Sequence, residues 1–460
     1  MLGLGRFGGG VGVSRWLLGQ GAEVVVTDRL SRAELGEAAE SLENQGALLA
    51  LGGHEEVDLT AADMLVVNPA VPSGAPLVQQ ARERGLEVTS EIALLMERWP
   101  GPMLGVTGSN GKSTTVSLAH AILESAGVPA VRGGNLGGSL LGQLGEATSE
   151  TVAVLELSSF MLELLAMRAA WGLPALGPEV AVITNLTPNH LDRHGSMEAY
   201  GEAKAAILTR ARHAVLPVGD ERVAALAHGR THAVHWFGDL EGQEAAKPPD
   251  LGVDAQGHLV DGSGRTVLAT EDMPLPGRMN RWDAAAATLA VAALLGDRKR
   301  AEGALREGLE RYQAPPHRLQ KVGVREGVHW VDDSVSTTPE STAASLEAME
   351  RPCLLIAGGR DKGLNPDPLV NAARSRARLV FTVGEEGGDL AERLQRAGVK
   401  AEKAGTVDVA VERAAALANA GETVLLSPGY SSHDQFAHFE ERAIAFCEAV
   451  RSLDPPRSLS

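Results

Sequence analysis

The stretch Thr107 to Thr115 reads "TGSNGKSTT", a set of groups suited to holding a triphosphate. Gly108 and Gly111 let backbone amides approach phosphate oxygens, and Lys112 is a point cation for them. The Ser113 hydroxyl can reach a magnesium ion, and Ser109, Asn110 and Thr114 complete the loop. The spacing is a variant: GxxxxGK[ST] puts its glycines five apart, whereas Gly105 stands six residues before Gly111. A glycine-rich turn with a solvated lysine is the plain alternative. Against it, "MLGV" precedes the loop as a strand, and "VSLAHAILESAG" follows with Leu118, Ile122 and Ser125 at helical spacing before Gly127.

A second group lies in "LELSSF" (Leu155 to Phe160) and "TNLTPNHLDRHGSMEAYGEAKAAIL" (Thr184 to Leu208). Glu156, His190 and Asp192 put hard oxygen and imidazole ligands near strand ends, so a magnesium site is expected there. The alternatives are a Glu156 that caps a helix and a His190 that hydrogen-bonds within a loop. Lys204, in "EAKA", reads by itself as a solvated helix residue.

The last group comprises "PPHRLQ", "WVDDSVSTTPEST", "GGRDKG" and "LLSPGYSSHDQFAHFEER". His317 and Arg318 follow paired prolines, Asp333 ends a strand, and Lys362 sits in a glycine-rich turn. Ser431 and Ser432 precede a helix, whose free amides form a carboxylate receptor. At the amino terminus Gly3, Gly5 and Gly8 make GxGxxG, and Asp28 ends "VVVTD" twenty residues after Gly8. That pattern suits a dinucleotide fold and leaves a nicotinamide cofactor open. Only Met1 and Leu2 precede Gly3, so the first strand of that sheet is expected to be missing.

The elements that must position these groups are legible as alternating runs. "AEVVVTD", "MLVVNP", "LEVTSE", "VAVLELSS", "EVAVITNL", "CLLIAGG", "LVFTVG" and "TVLLSPG" read as buried strands, separated by Ala/Leu-rich helical stretches. This is an α/β chain with parallel sheets. "GHLVDGSGRTVL" breaks the rhythm as a hairpin. Prolines in "ERWPGP" and "YQAPPHR" mark boundaries, predicting domains at 1–99, 100–314 and 315–460. At about 150 residues per domain, 460 residues agree with three.

A net charge of -17 removes any general attraction to nucleic acid or anionic lipid, so anionic substrates must be held by local donors. Cys353 and Cys447 lack CxxC spacing and indicate neither a disulfide framework nor zinc. No apolar run approaches the roughly 18 residues of a membrane span, and a cytoplasmic protein is expected.

Taken in order, "TGSNGKST", "GGNLG", "LELSSF", "TNLTPNHLDRH", "EAYGEAKA", "PHR", "DDSVSTTPEST", "GGRDKG" and "SPGYSSHDQF" resemble the Mur ligase family over essentially the whole chain, most closely its D-glutamate-adding branch. That family's loop reads TG[ST]xGK[ST], which accounts for the displaced glycine. The resemblance implies three domains: a Rossmann-like uridine-nucleotide domain, a central ATPase-like parallel sheet with a small β insertion, and a carboxyl-terminal Rossmann-like domain. It implies an ATP-dependent ligase of peptidoglycan precursor synthesis, joining D-glutamate to UDP-N-acetylmuramoyl-L-alanine through an acyl phosphate.

By the same resemblance, Lys112, Glu156, His190 and Lys204 are the catalytic residues. Ser113, Glu156, His190 and a carbamylated Lys204 would hold two magnesium ions, and Asn280, Arg318 and Asp333 the nucleotide. Arg6, Phe7, Asp28, Asn135 and Ser158 would contact the uridine muropeptide, and Thr337, Lys362, Ser432 and Phe439 D-glutamate. A monomer with no nucleic-acid or membrane partner is expected. The departures are Val335 where many relatives have lysine, Asp283 where asparagine is usual near the adenine, and "NPA" at Asn68, which leaves Ala70 at a turn that favours glycine. A ligase of the same fold with another amino acid, and a nucleotide-binding protein without ligase activity, are the competing readings.

Overall fold

The computed structural model describes residues 1–4, 8–55, 57–136, 138–229, 233–240, 248–273, 277–312, 314, 316–349 and 353–453. Two short parallel pairs open the chain: Val25–Asp28 with Leu48–Leu51, and Met64–Val66 with Glu87–Thr89. The strand slot expected to be empty is filled, because Leu2 bridges Thr27 on one side and Val67 on the other, both in parallel. Leu2 N donates to Val66 O and Gly3 N to Thr27 O, each at 2.8 Å, while Thr27 N donates to Met1 O and Asn68 N to Leu2 O, each at 2.9 Å. Backbone groups on two buried edges must be paired, and Met1 to Gly3 pair them without forming a strand of their own. Leu2, 1% exposed, anchors the seam in the core.

Among the described residues, the central sheet has nine strands. Met103–Thr107 lies between Val152–Glu156 and Val180–Ile183, in parallel with both. Register sets Val106 beside Glu156 and Thr107 beside Ile183, so three strands end together at one carboxyl edge. That is where ligands bind in such sheets. Ala130–Gly134 flanks Val152–Glu156, and His213–Pro217, Ala233–Asp239 and Leu251–Val253 extend the parallel run. The expected hairpin is present as the antiparallel pair Leu259–Asp261 and Thr266–Leu268, added at the sheet's edge. Every residue of Met103–Thr107 and Val152–Glu156 is buried, as continuous apolar strands covered on both faces require.

A six-stranded sheet occupies the carboxyl-terminal part. Its order is Gln320–Arg325, Val328–Asp332, Thr423–Leu426, Cys353–Gly358, Ala377–Val383 and Ala401–Gly405, with only the first pair antiparallel. Alternate strand residues feed two cores: Leu355, Val380 and Leu425 on one face, and Trp330, Ile356 and Phe381 on the other, where Phe446 of the last helix packs with them. Helices therefore cover both faces of this sheet.

By contacts the chain forms two units, Met1–Leu186 with Glu198–Asp272 and Trp282–Tyr312, and Thr187–Met197 with Met273–Arg281 and Gln313–Ser460. The fold is the α/β architecture of parallel sheets that the alternation predicts. Among the described residues, no helix is long and apolar enough to cross a membrane.

Candidate active site

In the first unit, the strand Met103–Thr107 runs into the loop and then into the helix Lys112–Ser125. Gly108 has φ 148° and Gly111 φ 82°, conformations that admit glycine at little cost. A Cβ at Gly108 would collide with Thr184 Oγ1. Thr184 Oγ1 donates to Asn110 O at 2.5 Å, Asn110 N donates to Asn185 Oδ1 at 2.9 Å, and Ser109 N to Asn185 O at 3.1 Å. Thr184 and Asn185 thus brace the loop from the neighbouring strand end. Sequence reading passed over both, although their place directly after "VAVI" was the available signal.

Lys112 Nζ lies over the loop, donating to Gly108 O at 3.1 Å and Ser109 O at 3.0 Å. Ser113 Oγ donates to Glu156 Oε2 at 2.6 Å, and Asn135 Nδ2 to Glu156 Oε1 at 2.7 Å. One buried carboxylate, 2% exposed, therefore joins the loop serine to Asn135. Glu156 does not cap the following helix; the Ser158 hydroxyl does, accepting from Met161 N at 3.2 Å. Hydroxyl and carboxylate oxygens so close are hard donors of the kind magnesium takes.

Lys204 is a core residue, 1% exposed, and not the solvated lysine that its helix suggests. Its Nζ donates to Gly108 O at 2.8 Å and Thr107 Oγ1 at 3.3 Å, and lies 4.6 Å from the centre of the Tyr200 ring. Burial, and then the charge of Lys112, hold its pKa well below the usual lysine value, with Glu156 opposing. Tyr200 is itself pushed up to about 12 by burial, and its hydroxyl is 3.2 Å from Ser109 Oγ.

Asp283 faces the loop: Thr115 Oγ1 donates to its Oδ1 at 3.3 Å, and a Cβ at Gly111 would strike that oxygen. The structure therefore sets it against the phosphate loop. Elsewhere in this unit, at the end of the strand Val25–Asp28, Asp28 Oδ2 accepts from Leu4 N at 2.7 Å and Oδ1 from Leu30 N at 2.9 Å. Arg6 and Phe7 lie outside the described residues, as does the side chain of Asp192. Ala70 needs no positive φ; its amide donates to Asn68 Oδ1 at 2.9 Å, so the Asn68 side chain supports the turn expected to favour glycine.

The second unit holds the remaining residues. His190 adopts φ 53° at the start of the short helix Leu191–His194, and its amide donates to Asn189 Oδ1 at 2.9 Å. Asn280 sits in the first turn of Arg278–Leu295. Asp333 is fully buried, accepting from Ser345 Oγ at 2.6 Å, Ser427 Oγ at 2.7 Å and Leu319 N at 3.2 Å. Burial raises its pKa, against the nearby Arg318 charge and the serine hydroxyls. Lys362 Nζ donates to Thr337 Oγ1 at 3.1 Å, so two of the expected amino-acid contacts are joined. Val335 donates its amide to His317 O at 3.3 Å. Ser432 is buried, and Phe439 begins the helix Phe439–Ser452 with its ring edge-on to His317 at 6.3 Å. Among the described residues there is no group of three or more His, Cys, Asp or Glu placed to hold a metal ion.

A glycine-rich loop between a buried strand and a helix, with a lysine over it and a carboxylate on its serine, defines a phosphate-loop nucleotide enzyme. Family profiles match along the chain: the MurD-like N-terminal domain of Mur ligases at residues 1–90, the Mur ligase middle domain at 106–291, and the Mur ligase glutamate ligase domain at 317–429. A UDP-N-acetylmuramoylalanine–D-glutamate ligase of Symbiobacterium thermophilum is 35% identical over 462 residues, covering 96% of this chain and 97% of its own. Its counterpart in a Roseiflexus species is 37% identical, covering 98% of each. The solved UDP-N-acetylmuramate–alanine ligase of Thermotoga maritima superposes with a TM-score of 0.64 at 18% identity, over 98% of this chain and 99% of that one, and so shares the fold. The chain belongs to the Mur ligase family.

Proposed function

We infer that the protein joins D-glutamate to the carboxylate of UDP-N-acetylmuramoyl-L-alanine, with ATP cleaved to ADP and phosphate, in peptidoglycan precursor synthesis. The observation that carries the reading is the contact of Ser113 and Asn135 with one buried carboxylate, Glu156, beside the phosphate loop. It fits a chain whose relatives of that activity cover nearly its whole length. We assign residues 1–99 to the uridine nucleotide, 100–314 to ATP and catalysis, and 315–460 to D-glutamate and part of ATP.

The chemistry begins with repulsion, because a carboxylate must approach a triphosphate. The backbone amides at the start of the helix Lys112–Ser125 and the Lys112 ammonium would offset that charge, already oriented before the reaction. The Ser113 hydroxyl and Glu156 carboxylate would hold magnesium, which when bound neutralises phosphate charge. The acceptor carboxylate attacks the γ-phosphorus and ADP leaves. The amino-acid amine then attacks the acyl carbon, phosphate leaves, and the amine loses a proton. Asn135 would orient the muropeptide at the first step, and Thr337, Lys362, Ser432 and the Phe439 amide would hold D-glutamate for the second. Asn280, Arg318 and Asp333 would hold the nucleotide, and Asp28 the uridine end.

Lys204 fits a further role. Its lowered pKa favours the neutral amine, which can add carbon dioxide to give a carbamate and release one proton. The resulting anion would be a ligand for a second magnesium. A single chain supplies every group named, so the reading needs only a monomer. Its nucleotide substrates suit the cytoplasm.

The test is phosphate release from ATP and magnesium by the purified protein, with UDP-N-acetylmuramoyl-L-alanine and one amino acid at a time. Release that requires both the muropeptide and D-glutamate is expected. Equal release with another amino acid, or none with any, would overturn the reading.

A further inference from the structure

Arg442 closes the stretch "LLSPGYSSHDQFAHFEER" and was given no role in it, yet it is among the most buried charged side chains in the second unit, 2% exposed. It projects from the helix Phe439–Ser452. Its Nη1 donates to Tyr430 O at 3.2 Å, and its Nη2 donates to Ser334 O at 3.2 Å and Tyr430 O at 3.3 Å. Its Nε has no partner among the described residues. Burial lowers its pKa to about 10, with Asp434 and Asp332 opposing, so the group stays charged at neutral pH. A buried charge held mainly by carbonyls is a poor source of stability. Its placement points to another role.

The two carbonyls belong to the segments that leave the ends of neighbouring parallel strands, Val328–Asp332 and Thr423–Leu426. The first segment continues to Thr337 and the second to Ser432. Asp332 fixes the first from below, its Oδ1 accepting from Ser334 N at 2.9 Å and Ser334 Oγ at 2.6 Å, while its Oδ2 lies 2.7 Å from His317 Nδ1. The second segment passes its position on, because Arg360 N donates to Ser431 O at 2.9 Å and Ser431 N to Arg360 O at 3.1 Å, two residues before Lys362. Phe439 stands one turn before Arg442 on the same helix. All four expected amino-acid contacts, Thr337, Lys362, Ser432 and Phe439, are thus tied by short covalent or hydrogen-bonded paths to one guanidinium.

We propose that Arg442 is a positioning residue for the amino-acid end of the site, fixing the spacing between the segment that carries Thr337 and the segment that carries Ser432. The inference rests on the reading of that end as the D-glutamate site. The planar fork spans two carbonyls at once, which a point ammonium cannot do in the same geometry.

The test uses the full chain with Arg442→Lys and Arg442→Met. Steady-state kinetics are followed for all three substrates, and backbone hydrogen exchange at residues 334–338 and 429–432 without substrates. Arg442→Met is expected to raise KM for D-glutamate about tenfold or more, with KM for ATP and for the muropeptide moving less than about threefold. Arg442→Lys should fall between it and the parent. Amides of both segments should exchange about tenfold faster while those of Cys353–Gly358 keep their protection. Equal changes in all three KM values, or unchanged exchange in the two segments, would overturn the proposal. Should Arg442→Met not fold, Arg442→Lys carries both readouts. A parent enzyme indifferent to D-glutamate would fail the functional reading instead, and the exchange measurement would still decide whether Arg442 sets the segments.

Discussion

Lys204 Nζ is 2.8 Å from the carbonyl oxygen of Gly108, so a lysine far along the chain is built into the phosphate loop. The contact places a weakly basic amine against the phosphate loop and close enough to Glu156 and Lys112 to feel both charges. An amine held this way is neutral at a lower pH than a solvated lysine.

Lys204→Ala is expected to lose nearly all turnover and to regain part of it when a short carboxylic acid is supplied, its anion standing in for the carbamate. The folded pKa lies below the unfolded value of 10.5. The unfolded state therefore holds the extra proton between the two, and this group makes folding more favourable as pH rises through that window. Parent activity should likewise rise with pH on its acid limb, and added bicarbonate should move that limb to lower pH. A fully active Lys204→Ala, measured by phosphate release, would remove the carbamate from the mechanism.

Lys112→Ala should cost about a hundredfold to a thousandfold in kcat, on the order of 3 to 4 kcal/mol of transition-state stabilisation. Folding should be little affected, since the ammonium is partly exposed and donates to loop carbonyls. Kinetics alongside a thermal melt separate the two effects. Normal turnover in the variant would detach Lys112 from the phosphates.

The strands that sequence reading found were those whose apolar runs are continuous, such as "VAVLE" and "CLLIAG", because a strand buried on both faces needs no alternation. Gln320–Arg325 escaped, since it is an edge strand with nearly every residue exposed and carries no apolar signal. The loop residues Gly108 to Ser113 were legible because strand, glycine turn and helix are adjacent in sequence. Thr184 and Asn185 were not, because their hydrogen bonds reach the loop across more than seventy residues. The burial of Lys204 was equally silent: "MEAYGEAKA" mixes charged and small residues without an apolar stripe, and only the packed fold shows which face turns inward.

Asp283→Asn tests the departure at Asp283, where the resemblance leads one to expect asparagine. The carboxylate lies against Gly111 and accepts from Thr115, so its charge opposes phosphate arriving at the same loop. An amide oxygen can keep the Thr115 hydrogen bond without the charge. KM for ATP is expected to fall by about threefold to tenfold, a change of about 1 kcal/mol, with KM for D-glutamate unmoved. A rise in KM for ATP would show that the carboxylate supports the loop more than it repels the ligand.

Glu91 gives a prediction about stability rather than turnover. It is buried in the first turn of Glu91–Arg98, accepts from Ser139 Oγ at 2.6 Å, and is raised by burial from 4.5 to about 6. The native state then binds the proton more tightly than the unfolded chain, so stability is greatest below the unfolded pKa and is lost as pH rises toward the folded one. The loss is about 2 kcal/mol by about pH 6, from a shift of about 1.5 units at about 1.4 kcal/mol each. In Glu91→Gln the amide oxygen can still accept from Ser139, but nothing titrates. The variant should match the parent near pH 4 and exceed it in urea midpoint at pH 7.5. Coincident midpoints at pH 7.5 would mean that the Glu91 carboxylate is ionised in the folded protein at little cost.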